Sequence, residues 1–274
     1  MIDLQAAYVE APTPHVRLDV GLMPEGTAAV RVQRIVGAYQ APVRGHDPAP
    51  VYGIATAIVD WDVPLGRQAT YVCRALDEVG GVLSTASIAV TTGTISAAQA
   101  WITNPVDPVS GMRVTLMEGS DDTTEHPQKV TLSTAAWSSG LPSAIVETRQ
   151  RGANRTLVVR LDSLEKAQTL EDLLSTSAFL LVRAPGIRHR SGALYVVVEN
   201  VTETRERDLT DSPTLAETTW TLECAEVGPG RMPITVAPWS YQDSMDFAAA
   251  HGDPTYATRL SLWPMYIDMR RQGV

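Results

Sequence analysis

The ionisable and nucleophilic side chains of this sequence do not gather into a recognisable reaction centre. Its five histidines, His15, His46, His126, His189 and His251, form no HExxH motif and no pair at metal-ligand spacing. Asp121-Asp122 lacks the ligand pattern of a calcium loop and its closing glutamate. There is no GxSxG elbow, and Ser138-Ser139-Gly140 reads as a loop with no base nearby in sequence. A P-loop and a GxGxxG fingerprint are missing too, and Gly26 and Gly37 stand alone as turn glycines. Glycosidase carboxylates can come from distant strands, but nothing singles out two of the 31 acidic residues. No catalytic residue, metal ligand or cofactor-binding residue is expected, and the chain is not expected to be an enzyme.

Two short motifs invite chemistry and have plainer readings. His46-Asp47 sits in Arg44-Gly45-His46-Asp47-Pro48, where adjacent side chains diverge and a proline bounds the loop, so a turn is expected. Arg188-His189-Arg190 follows Pro185-Gly186 and has the charge to grip an anion; a solvated hairpin tip or a bridge to a neighbouring subunit's acids is the plainer reading. Cys73 and Cys224 both fall in strand-like runs and read as two separate buried thiols; a bridge would need their strands to be neighbours.

The elements that carry these residues are mostly strands. His15–Val20 alternates, with Val16, Leu18 and Val20 on one face and Arg17 and Asp19 on the other. Val30, Val32 and Arg34 share a face within Thr27–Val36. Val51–Trp61, Gln68–Leu76 and Ala86–Thr92 follow, punctuated by Pro64-Leu65-Gly66 and Gly80-Gly81. Residues 15–95 are therefore expected to form a β-sandwich of the immunoglobulin or fibronectin type III kind, with Trp61 and Tyr71 as its large core residues. Residues 1–14 are expected as an N-terminal arm. They carry Asp3 and Glu10 and no apolar core, so no secretory signal is expected.

Residues 96–230 read as strands around one helix. Trp101–Pro105 looks like a linker, Gly111–Gly119 a strand with Met112, Val114 and Leu116 inward, and Ser120–Pro127 an acidic hairpin tip. Ser143–Arg149 and Asn154–Leu161 are further strands. A helix is expected over 163–175, capped by Asp162 with Glu165 completing a capping box, and with Leu164, Ala167, Leu170 and Leu174 as its apolar stripe. Phe179–Arg183, Leu194–Arg205 and a strand through Trp220, Leu222 and Cys224 complete it. Within Leu194–Arg205 the alternation puts Tyr195, Val197 and Val201 on one face and Val196 and Val198 on the other. The fold class is mainly β, with an α+β second half. Residues 231–274 form an aromatic C-terminal arm with Trp239, Tyr241, Phe247, Tyr256, Trp263 and Tyr266; so many rings need a surface to pack on.

Composition sets the outer limits. With 44% hydrophobic and 19% charged residues over 274 positions, the chain can bury real cores. A net charge of −9 argues against a basic nucleic-acid-binding surface as the main function. No apolar run reaches the roughly 18 residues of a membrane span, so no membrane partner is expected. Only Lys129 and Lys166 are lysines against 20 arginines, which suits a GC-rich coding genome.

Read in order, several stretches form a pattern. Pro42-Val43-Arg44-Gly45 precedes Asp60-Trp61-Asp62-Val63-Pro64-Leu65-Gly66 and Thr70-Tyr71; Trp101–Pro105 and Pro108 follow. Then come Arg149–Arg155, Thr156-Leu157-Val158-Val159, the capped helix, Phe179–Arg183 with Pro185, a long strand and Trp220-Thr221-Leu222. Over roughly residues 15–230 this resembles the minor tail proteins of siphophages that infect actinobacteria and, through its second half, the distal tail proteins of siphophage tails. The resemblance implies a structural virion protein, assembled in the host cytoplasm and located at the tail tip. Its second half would be a tail-tube-like β-sandwich with one packed helix. Copies would close into a ring of six, with three as the alternative, joining tail-tube protein to the tip or baseplate hub proteins. DNA would pass through the lumen without specific binding and without any cofactor. Acidic walls suit such a passage, and some of Asp121, Asp122, Glu125, Glu171 and Asp172 are expected to line the lumen. Placing the sandwich before the ring domain departs from the commonest distal tail layout. A second reading is a carbohydrate-binding or adhesion protein of the tip, with Tyr39 and Tyr52 beside the Pro-rich loop as sugar platforms.

Overall fold

The structure is a computed structural model that describes residues 2–51, 56–133, 143–149, 152–187, 192–205 and 217–229. Among the described residues it is mainly β with one helix. Contacts divide the chain into two compact units, Met1–Arg113 with Leu181–Ala193, and Val114–Leu180 with Leu194–Gly228.

The first unit opens with β1 (Asp3–Val9), β2 (His15–Gly21), β3 (Ala29–Val36), β4 (Tyr39–Pro42), the short β5 (Ala49–Pro50), β6 (Thr56–Asp60), β7 (Gln68–Leu76) and β8 (Val82–Thr91). One sheet has the order β1-β2-β6; the other has β4-β3-β7-β8, with β5 added to β3. The chain changes sheets after β2, β5 and β6, which gives the antiparallel sandwich of the immunoglobulin and fibronectin type III class. Alternation does the work: Val16, Leu18 and Val20 of β2, Val30, Val32 and Val36 of β3, and Ala69, Tyr71, Cys73 and Ala75 of β7 form one buried cluster. Trp61 and Tyr71 are both buried, as expected.

Residues 1–14 differ from the expected arm. Asp3–Val9 pairs along its length with β2, from Asp3 opposite Gly21 to Val9 opposite His15. Leu4, Ala6 and Tyr8 lean on the core while intervening residues stay exposed. An edge strand half-covered on one face needs few large apolar residues, so its sequence reads as nondescript.

Six further strands close into a barrel in the order β10-β13-β16-β15-β14-β9. They are β9 (Gln99–Thr103), β10 (Gly111–Leu116), β13 (Arg155–Leu161), β14 (Phe179–Arg183), β15 (Leu194–Arg205) and β16 (Thr218–Glu226). β9 occupies the stretch expected as a linker, and pairs with β14 through Ile102 opposite Val182. A separate ribbon consists of β11 (Val130–Ser133) and β12 (Ser143–Val146). Leu157, Val159 and Leu161 of β13 are buried, as are Leu222 and Cys224 of β16. In β15 a register shift between Val198 and Asn200 changes the alternation. Val201 then lies opposite Leu222, on the face of Val196 and Val198, and not with Tyr195 and Val197 as strict alternation predicts.

The helix α1 (Leu164–Thr176) has Ser163 as its N-cap in place of Asp162; the Ser163 hydroxyl accepts from the Lys166 backbone N–H at 3.3 Å. Asp162 instead accepts from Lys166 Nζ at 2.9 Å, one turn along. That hydrogen bond holds the Asp162 carboxyl below its ordinary pKa. The buried stripe is Ala167, Leu170 and Leu173. Leu164 is exposed and Leu174 half-buried, one step off the expected phase.

Candidate functional site

The buried ionisable groups hold the fold. In the sandwich, the inward face of β3 continues from Val30 and Val32 to Arg34, which lies opposite Tyr71 of β7. Asp60 ends β6 in the other sheet. Arg34 Nη1 donates to both Asp60 carboxylate oxygens at 2.6 Å, and the Tyr71 hydroxyl donates to Asp60 Oδ2 at 2.8 Å. Two residues on, Asp62 takes a forked pair from Arg44, from Nε at 2.8 Å and Nη2 at 2.9 Å. Burial opposes the Arg34 charge, and the Asp60 and Asp62 carboxylates outweigh it, so its pKa lies above the ordinary value. Burial first and the Asp60 charge second raise that of Tyr71. The Asp60-Trp61-Asp62 motif is thus a polar latch between sheets.

Neighbouring contacts in this unit have the same character. The Trp61 ring sits 4.3 Å from the His15 ring, between centroids. His15 Nδ1 donates to the Thr13 carbonyl at 2.8 Å, and the Thr13 hydroxyl to the Pro108 carbonyl at 2.7 Å. Arg183, wholly buried, donates to the Pro14 carbonyl at 2.5 Å.

His46 and Asp47 lie in a turn, as their proline-bounded motif predicts, and have different partners. The His46 N–H closes a turn onto the Val43 carbonyl at 3.2 Å, while Asp47 accepts from Arg31 Nε at 2.6 Å. Burial, against a smaller pull from Asp60, lowers the His46 pKa to about 4. A histidine held neutral in the fold gives stability that is complete above its ordinary value near 6.5. That stability drains away as the pH falls from there towards 4. A proton NMR titration of the His46 ring is expected to show a midpoint near 4; a midpoint near 6.5 would contradict the burial argument.

The second unit has its own buried network. Arg155, at the start of β13, pairs with Asp121 through Nη1 and with Glu226 of β16 through Nη2 at 3.0 Å. Asp121 adopts φ +58, and its N–H donates to the Thr156 carbonyl at 2.8 Å. Gly152, at φ +61, packs so closely that a Cβ there would lie 2.3 Å from Glu226 Oε2. Asp121 is buried, which removes it from the candidates for a lumen wall. Asp122, Glu125, Glu171 and Asp172 are exposed, and Glu125 accepts from Asn154 Nδ2 at 2.6 Å.

Both cysteines are free and buried, Cys73 in β7 and Cys224 in β16. Burial pushes the Cys73 thiol up to about 11 and, with Glu199 adding, the Cys224 thiol up to about 12. Neither is expected to react with a thiol-specific chromogenic disulfide in the native protein at neutral pH. Both are expected to react in denaturant. Tyr39 is half-buried in β4; Tyr52, Arg188-His189-Arg190 and the arm 231–274 lie outside the described residues. Among the described residues no three His, Cys, Asp or Glu side chains gather as a metal site, and no helix is long and apolar enough to cross a membrane.

The feature that asks for a function is the β11–β12 ribbon. Its base is Glu125 bridged to Ala153, and the exposed Lys129 pairs with Glu147 at 3.4 Å along its stem. Val130 lies opposite Val146 and Leu132 opposite Ala144, so these four side chains share one face. Val130 is 49% exposed, Leu132 64% and Val146 52%, and Ala144 is exposed too. Ile145, on the reverse face, is 66% exposed. Among the described residues the two strands pair only with each other. Water is a poor home for a two-stranded ribbon with an apolar face; such ribbons are marginal unless something covers them. β12 falls within the expected strand Ser143–Arg149, whereas β11 has no counterpart among the expected strands. Val130-Thr131-Leu132, alternating and uncharged, was the available signal.

No protein-family model matches the chain, and no curated protein does. A solved structure that matches is a cycloalternan-degrading enzyme from Trueperella pyogenes, 12% identical, with a TM-score of 0.25. The match covers 81% of this chain and 32% of that one, and a likeness this weak carries no argument.

Proposed function

We propose that this chain is a structural protein of a siphophage tail tip. Its copies dock around an axis into a ring that joins tail-tube protein to tip or baseplate hub proteins and leaves a lumen for DNA. In this reading the second half is a tail-tube-like domain, and the protein acts through docking faces and not through bond chemistry. The observation that carries the reading is the open apolar face of the β11–β12 ribbon, a surface suited to burial between copies. The pairing of Arg34, Asp60, Asp62 and Arg155 within the fold supports it, because these charges are already engaged with partners inside their own units. Asp122, Glu125, Glu171 and Asp172 remain the proposed lumen acids, where like charge keeps passing phosphates from sticking.

Mass photometry and negative-stain microscopy test this directly. Purified protein, at high concentration or with tail-tube protein, is expected to form ring-sized oligomers with a central hole. Strictly monomeric behaviour under both conditions would overturn the proposal.

A further inference from the structure

We propose that residues 231–274 of one copy cover the open face of the β11–β12 ribbon of the next copy, an inference that rests on the ring reading above.

Symmetry supplies the first argument. A ring of identical subunits is held by two different surfaces that complement each other; a patch that binds its own image makes a pair and stops. Ribbon against ribbon is such a self-contact. A ring needs a second, distinct apolar feature to meet Val130, Leu132, Ala144 and Val146. The sequence offers one in the arm, with Trp239, Tyr241, Phe247, Tyr256, Trp263 and Tyr266.

Area supplies the second. Each ribbon strand has four residues. At about 3.3 Å per residue and about 5 Å between strands, its face presents on the order of 100–200 Å². A stable interface buries about 800 Å² on each partner. Two ribbon faces fall well short of that, whereas a long segment rich in tryptophan and tyrosine can cover this face and continue beyond it.

Charge and reach agree. The arm contains four acids, Asp243, Asp246, Asp253 and Asp268, balanced by Arg231, Arg259, Arg270 and Arg271. The whole excess of −9 therefore resides in the rest of the chain. A neutral arm approaches an acidic neighbour without net repulsion. Its 44 residues could extend on the order of 140 Å, ample for a neighbouring subunit. The ribbon also keeps both outer edges unpaired among the described residues, open to an added strand from an extended segment.

Isotope-resolved photocrosslinking of the full-length protein tests the proposal. Leu132 is replaced by benzoyl-phenylalanine in unlabelled protein, which is mixed with uniformly 15N-labelled protein under conditions that give oligomers. Irradiation is expected to join the residue-132 peptide to heavy peptides from 231–274. Leu132→Asp is expected to raise the concentration for half-assembly at least tenfold, while circular dichroism stays unchanged. Oligomers whose cross-links are confined to light arm peptides, to the 130–146 ribbon or to any other segment would overturn the arm inference and leave the ring reading standing. Protein that stays monomeric, alone and with tail-tube protein, would overturn both.

Discussion

Asp60→Ala is expected to destabilise the sandwich by about 3–5 kcal/mol, the usual consequence of stripping one partner from a buried ion pair. The substitution leaves the Arg34 guanidinium, almost wholly enclosed, without the carboxylate that neutralises it. It also removes the acceptor of the Tyr71 hydroxyl. Thermal melting is expected to show the sandwich unfolding at least about 10 °C lower, and amide exchange in β3, β6 and β7 to quicken together. Tyr71→Phe removes one hydrogen bond to a charged group and is expected to cost only about 1.5–3 kcal/mol. The pair Arg34→Met with Asp60→Leu puts apolar side chains where both charges stood, and is expected to recover most of the loss. A single Asp60→Ala variant as stable as the parent would show that the latch does not hold the sheets together.

Arg155→Ala is the corresponding experiment in the second unit and has an expected cost of the same size, about 3–5 kcal/mol. Here one guanidinium serves two carboxylates, buried Asp121 and the less enclosed Glu226. Its removal leaves two negative charges facing an emptied site, and the Asp121 turn, at φ +58, loses the partner that fixes it. Amide exchange is expected to rise at the Asp121 and Thr156 backbone groups and along β16, while β3 and β7 are unaffected. Arg155→Lys is expected to recover only part of the loss, since one ammonium cannot reproduce the fork that meets two acids. Equal exchange in β16 of parent and Arg155→Ala protein would contradict this role.

Legibility followed the range of the interactions. The alternation in β2, β3 and β7 announces a two-faced strand within a few residues, and it put Arg34 on the inward face. What that inward charge meets depends on Asp60, 26 positions away and in the other sheet, which no local pattern encodes. The same limit applies to Arg155 and Asp121, separated by 34 positions. Local competition explains other misses. Asp162 and Ser163 are both good capping residues, and Lys166 draws Asp162 into an ion pair while the smaller serine caps. The bulge after Val198 reverses the facing of Val201, because one extra residue shifts a two-residue period by half. β11 has no counterpart among the expected strands because its short alternation follows closely on the acidic, polar run Ser120–Pro127 and merges with it. The candidate docking face was thus the least visible part of the chain, being short and defined by what is left uncovered.

The placement of the two thiols gives the molecule a built-in pair of stopwatches. One sits in the sandwich strand β7 and the other in β16, each shielded until its own surroundings open. A slow alkylation time course followed by peptide mass spectrometry therefore clocks the two halves independently in a single tube. Matching half-times would mean that the protein breathes as one cooperative body, and well-separated ones that each half opens on its own schedule.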